Sequence, residues 1–119
     1  MTINAASEPG ALKILITNLR APLVTVTKTS ADVDFSVQLE SLSGVQINRT
    51  EYGRMLLTRE RGGRRLIKEL KPTESTADEL DLSKIFDLPP GAYKAVVSRQ
   101  VLVGPTRVSL RETVMFHVP

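Results

Sequence analysis

The chain contains no cysteine, no tryptophan and a single histidine. The first absence removes disulfides, thiolate metal sites and cysteine nucleophiles together, so stability must come from packing and hydrogen bonds. One histidine without cysteine cannot assemble the familiar zinc sets. It also leaves a serine nucleophile with one candidate base, His117, and no Gly-x-Ser-x-Gly elbow occurs. Aromatics are limited to three phenylalanines and two tyrosines, too few for the stacking platform of a single-strand nucleic-acid binder. No apolar run approaches the roughly 20 residues that cross a bilayer. Met1 to Gly10 lacks the charged-then-apolar order of a signal peptide, and the sequence implies no cofactor.

What remains is ordinary globular material: 41% hydrophobic and 24% charged over 119 residues, enough for one core and far from the composition of a disordered chain. The expected organisation is a flexible segment over residues 1–10 and a single domain over 11–119. Side chains of a strand alternate between two faces, so a half-buried strand alternates in polarity. Leu12, Ile14 and Ile16 do so, as do Val24 and Val26 among threonines, and most cleanly Val33, Phe35, Val37 and Leu39. Further strands are expected within 45–57 as an edge near Tyr52, over Leu66 to Leu70, over Glu79 to Leu82, from Tyr93 through Val103, and from Val108 to Val118. Ser83 is the expected cap of a single helical turn before Pro89-Pro90. Seven or eight short strands separated by turn residues predict an all-β, immunoglobulin-like antiparallel sandwich. Within it, Pro90-Gly91-Ala92-Tyr93 sits where a tyrosine corner would pin the crossover between sheets, which gives Pro90, Gly91 and Tyr93 structural roles.

Three strings carry a resemblance: Thr50-Glu51-Tyr52-Gly53-Arg54, then Glu79-Leu80-Asp81-Leu82-Ser83-Lys84-Ile85-Phe86-Asp87-Leu88, then Pro90-Gly91-Ala92-Tyr93. In order and spacing they resemble a group of uncharacterised bacterial proteins, usually exported, over roughly residues 12 to 118. The resemblance implies an immunoglobulin-like sandwich and an extracytoplasmic setting, periplasmic or secreted, with the cytoplasm left open; it brings no catalytic residues. A vaguer likeness, in strand layout alone, is to the bacterial intracellular proteinase inhibitor family.

Charge is unevenly placed. Residues 49–73 hold eight basic against three acidic side chains, and residues 74–87 hold five acidic against one basic. Asp78, Glu79, Asp81 and Asp87 are hard oxygen donors, yet their spacing is not that of a regular calcium loop. Gly62-Gly63-Arg64-Arg65 lacks the Lys-Ser/Thr ending of a phosphate loop. Asn48-Arg49-Thr50 matches the glycosylation triplet, which chance produces often. The basic stretch is the strongest functional candidate, with Tyr52, Arg54, Arg59, Arg61, Arg64 and Arg65 as the candidate interaction surface. The leading reading is a noncatalytic binding or accessory domain with a protein or cell-envelope partner. Rivals are a proteinase inhibitor acting through residues 57–65 and an anionic-polymer or nucleic-acid binder using residues 49–68; the lack of interleaved aromatics argues against nucleic acid.

Overall fold

The computed structural model describes residues 1–5, 8–58 and 65–119. In chain order these form β1 (Thr2–Ala5), β2 (Ala11–Thr17), β3 (Val24–Lys28), α1 (Ala31–Asp34), β4 (Ser36–Ser41), α2 (Glu51–Thr58), β5 (Leu66–Leu70), β6 (Ser75–Asp81), α3 (Leu82–Ile85), β7 (Gly91–Val103) and β8 (Thr106–Val118). Every pairing between strands is antiparallel. Sheet I has the order β1-β2-β6, and sheet II joins β4, β7, β3 and β5, with β8 along the other side of β7. The fold is an all-β sandwich of two open sheets.

Alternation decides what lies between the sheets. Leu12, Ile14, Ile16 and Leu80 from sheet I meet Val26, Leu70, Ala95, Val97, Val114 and Phe116 from sheet II in one buried cluster. Apart from Ala11, their neighbours in sequence are exposed or half-buried, so a shift of one residue in any of these strands would turn its apolar side to water.

The chain passes from sheet I to sheet II after β6, and this corner is heavily constrained. Asp81 Oδ1 accepts the backbone N–H of Ser83 at 3.0 Å and caps α3, a role expected of Ser83 itself. Leu82 and Ile85 of that turn are buried, and Pro89-Pro90 follow. Gly91 has φ +148°, a conformation that side chains disfavour, and it starts β7. Tyr93 is 1% exposed, stacks on Phe116 with ring centroids 5.4 Å apart, and donates its hydroxyl to the carbonyl of Pro89. The hydroxyl is thereby satisfied where burial would otherwise be costly.

Three expectations need correction. The start of the chain, expected as a flexible segment over 1–10, holds a strand of the domain: Thr2–Ala5 pairs with β2 and Ile3 enters the core. Val33 and Asp34 belong to α1 rather than to the strand predicted across them: Asp34 Oδ2 accepts the N–H of Thr29 at 2.8 Å and closes a helical turn, and the strand starts at Ser36. The edge strand expected near Tyr52 is helix α2. Thr50 precedes it and accepts the N–H of Gly53 on its hydroxyl at 3.0 Å, with its carbonyl bonded to the N–H of Arg54 at 2.9 Å. Gly53 packs so closely on α3 that a Cβ there would lie 2.0 Å from the carbonyl oxygen of Ile85. Only glycine permits this approach of the helix to α3.

Candidate functional site

Of the predicted interaction surface, the described residues are Tyr52 and Arg54 on α2 and Arg65 just before β5. Arg59, Arg61 and Arg64 lie outside the described residues, as does most of the 57–65 segment of the inhibitor reading. On α2, Arg54 donates from Nη1 to the carbonyl of Arg49 at 2.8 Å. Arg49 in turn lies over the ring of Phe86, 5.0 Å from its centroid, and donates to the carbonyl of Gly53 at 3.1 Å. These two arginines hold the segment before α2 and the helix itself together.

Tyr52 donates its hydroxyl to Asp32 of α1. Partial burial of Asp32 opposes its ionisation, but hydrogen bonds from Ser30 and Tyr52 and from the backbone of Asp32 and Val33 outweigh it and hold the carboxyl below its ordinary range. The other side of the same helical turn presents Val33 and Asp34 to a cleft that Arg65 also lines. Of the three predicted residues that are described, Tyr52, Arg54 and Arg65, it is Arg65 that lines a recess.

That recess is a split in sheet II. One edge of β7 is shared by two strands in succession: β4 pairs with it from Tyr93 to Ser98, and β3 pairs with it at Leu102 and Val103. Between them, Arg99 to Val101 face neither. The strand β3 stays on β5 along its whole length but parts from β7 beyond Thr25, and α1 occupies the gap before β4 takes over. The result is a cleft of about 470 Å³. Thr27, Thr29 and Arg65 form one bank, and Ser98, Gln100 and Ser109 the other. Val33, Asp34 and Ser36 close one end, and Arg99 completes the lining.

Arg99 spans the split. It is 9% exposed, its Nη2 donates to the carbonyl of Thr27 at 2.7 Å, and its Nε lies 3.3 Å from the carbonyl of Gln100. Its guanidinium also rests on Phe35, 5.2 Å from the ring centroid. The side chain therefore replaces a missing rung of the ladder between β3 and β7. Its Nη1 is buried and has no hydrogen-bond partner among the described residues. Burial pulls the Arg99 pKa down, and the charges of Asp34 and Asp78 oppose that pull.

A second polar tie lies behind it. Lys28 reaches from sheet II to sheet I, donating to the hydroxyl of Thr76 at 2.8 Å and pairing with Asp78 at 3.3 Å. Asp78 Oδ2 is buried without a partner among the described residues. The acidic segment thus contributes one carboxylate to the interior, while Glu79 and Asp87 are exposed. Among the described residues no group of three histidine, cysteine or acidic side chains converges as a metal site would require. His117 is exposed on β8.

Sequence reasoning missed Arg99, although a signal was present. It falls on the inward series Tyr93, Ala95, Val97, Arg99, Val101, as Lys28 follows Val24 and Val26 and as Asp78 stands between Thr76 and Leu80. Three strands each carry one charge in the parity of the core. Comparison of the sequence and the structure with protein-family models, curated proteins and solved structures gave no match.

Proposed function

We propose that the domain is a noncatalytic binding or accessory module that meets a protein or cell-envelope partner through the outer face of sheet II, around the cleft at Arg99. The observation that carries this reading is the split between β3 and β7. An antiparallel ladder ordinarily runs on; here it opens onto hydroxyl groups and two guanidinium groups, a lining suited to recognition. The immunoglobulin-like topology belongs to the same proposal. It is supported by the orders β1-β2-β6 and β4-β7-β8, which follow A-B-E and C-F-G of that fold, and by Tyr93 at the start of the penultimate strand. The extracytoplasmic setting implied by the resemblance is likewise part of it.

Ser98 stands on the outward side of β7, so Ser98→Trp fills the cleft without entering the core. With the chain immobilised and exposed to a bacterial envelope extract, the substitution should lower recovery of bound partner about tenfold, equivalent to roughly 1.4 kcal/mol of binding energy, and leave the circular dichroism spectrum unchanged. Recovery equal to that of the wild type would remove this face from consideration.

A further inference from the structure

We infer that the chain pairs with a second copy of itself through the outer edge of β5, as an antiparallel two-fold dimer in which sheet II of one copy runs on into sheet II of the other.

The strand β5 ends its side of sheet II, and among the described residues only β3 pairs with it. The register sets Lys68 against Val26 and Leu66 against Lys28, so Leu66, Lys68 and Leu70 share the inward side while Ile67 and Glu69 point outward. Val26 is fully buried, yet Lys68 beside it is exposed and Leu66 is 58% exposed. Sheet I therefore covers β3 and stops short of the first part of β5, where only Leu70 reaches the core. Ile67, on the other side, is 68% exposed. Adjacent leucine and isoleucine left to water on both sides of an edge strand form a template for a further strand.

The order of charges names that strand. A two-fold axis perpendicular to a sheet keeps the inward sides of both copies together and lets residues of like parity meet. With the axis at Ile67, the two isoleucines face each other on the outer side. Arg65 then stands opposite the partner's Glu69, and Glu69 opposite the partner's Arg65. Opposite charges directly across a ladder attract, and the symmetry supplies the pair twice. On the inward side Lys68 meets the partner's Leu66, whose surface its aliphatic stem can cover while the ammonium group stays in water. Moving the axis to Lys68 would instead set two lysines face to face. The remaining edges have no such match. On β8, Arg107 and Arg111 point outward and Glu112 inward, so two-fold pairing never opposes unlike charges; β6 carries acidic charges alone, β4 has only Glu40, and β1 has none.

Five residues from each copy make a small interface, which sets the expected Kd at about 100 μM. The dimer goes beyond the binding role proposed above: it turns the outer faces of both copies of sheet II the same way and so offers two clefts to one surface.

Sedimentation of the full chain from about 5 μM to about 1 mM, a range that brackets this Kd, should show a reversible monomer–dimer equilibrium. Arg65→Glu alone and Glu69→Arg alone each place like charges opposite one another at both pairs, and each should weaken dimerisation at least tenfold. The two single variants mixed together should pair with each other, and the chain carrying both exchanges should dimerise as the wild type does. Ile67→Lys, which sets two lysines on the axis, should also weaken the dimer at least tenfold. All three positions are exposed, and an unchanged circular dichroism spectrum verifies the fold. A chain still monomeric at the highest concentration would overturn the inference. So would a dimer indifferent to these substitutions, or one that neither the mixture nor the double exchange restores.

Discussion

The two ends of β7 face the same interior and solve opposite problems. From Tyr93 to Val97 the inward side chains are a tyrosine, an alanine and a valine, each 1% exposed or less, packed between complete ladders on both sides. Two residues further on, the inward position is Arg99, the ladder to one side has parted, and Lys28 and Asp78 replace apolar contacts. The first half derives its stability from packing. The second half keeps a charged network that packing alone would not select, because a buried ionic group seldom outperforms a well-fitted apolar one. In this half, charge pairing stands beside an opening where the other half has packing.

Substitutions along this strand should separate the two halves. The largest effect is expected at the packed end: Tyr93→Ala empties the site beside Phe116 and should cost about 4 kcal/mol. Tyr93→Phe, which removes only the bond to Pro89, should cost about 1 kcal/mol; denaturant unfolding measures both. At the charged end, Asp78→Ala leaves Lys28 and Arg99 without their shared counter-charge and should cost about 3 kcal/mol. Adding Lys28→Met to Asp78→Ala should recover part of that loss. A loss that the second substitution deepens would show the network to be stabilising in its own right.

The smallest expected effect concerns acid. The hydrogen-bonded Asp32 carboxylate has its pKa below the ordinary value, so its contribution is fully present above the ordinary carboxylate range and fades as pH falls through the lowered pKa. The stability difference between wild type and Asp32→Asn, read by urea unfolding, should therefore hold steady at neutral pH and shrink below about pH 4. A difference that grows on acidification would contradict the bond from Tyr52.

Where the sequence could be read correctly, one physical rule sufficed. Alternation located β2, β3, β7 and β8, the Lys71-Pro72 stop located the end of β5, and Pro89-Pro90 with Tyr93 located the crossover. The rule gave less where local hydrogen bonds override polarity, as at α1, where Asp34 turns the chain although Val33 and Phe35 keep the strand pattern. It gave least at α2, where Tyr52, Met55 and Leu56 do fall at helical spacing but over only eight residues, and where the close approach of Gly53 to Ile85 of α3 has no counterpart in a polarity pattern. The candidate site was half legible. Arg65 was singled out for its charge, but its companion Arg99 required noticing which side of a strand a charge falls on, and which neighbouring strand fails to continue.

The parting of β3 from β7 also bears on how such a protein can change. The residues on its two banks point away from the core, while the opposite sides of the same strands carry the folding. Exchanges among small polar side chains at Thr29, Ser98 or Ser109 would alter what fits between the banks without disturbing either sheet. Descendants of one scaffold could thus acquire different tastes one substitution at a time, each remaining a folded sandwich throughout.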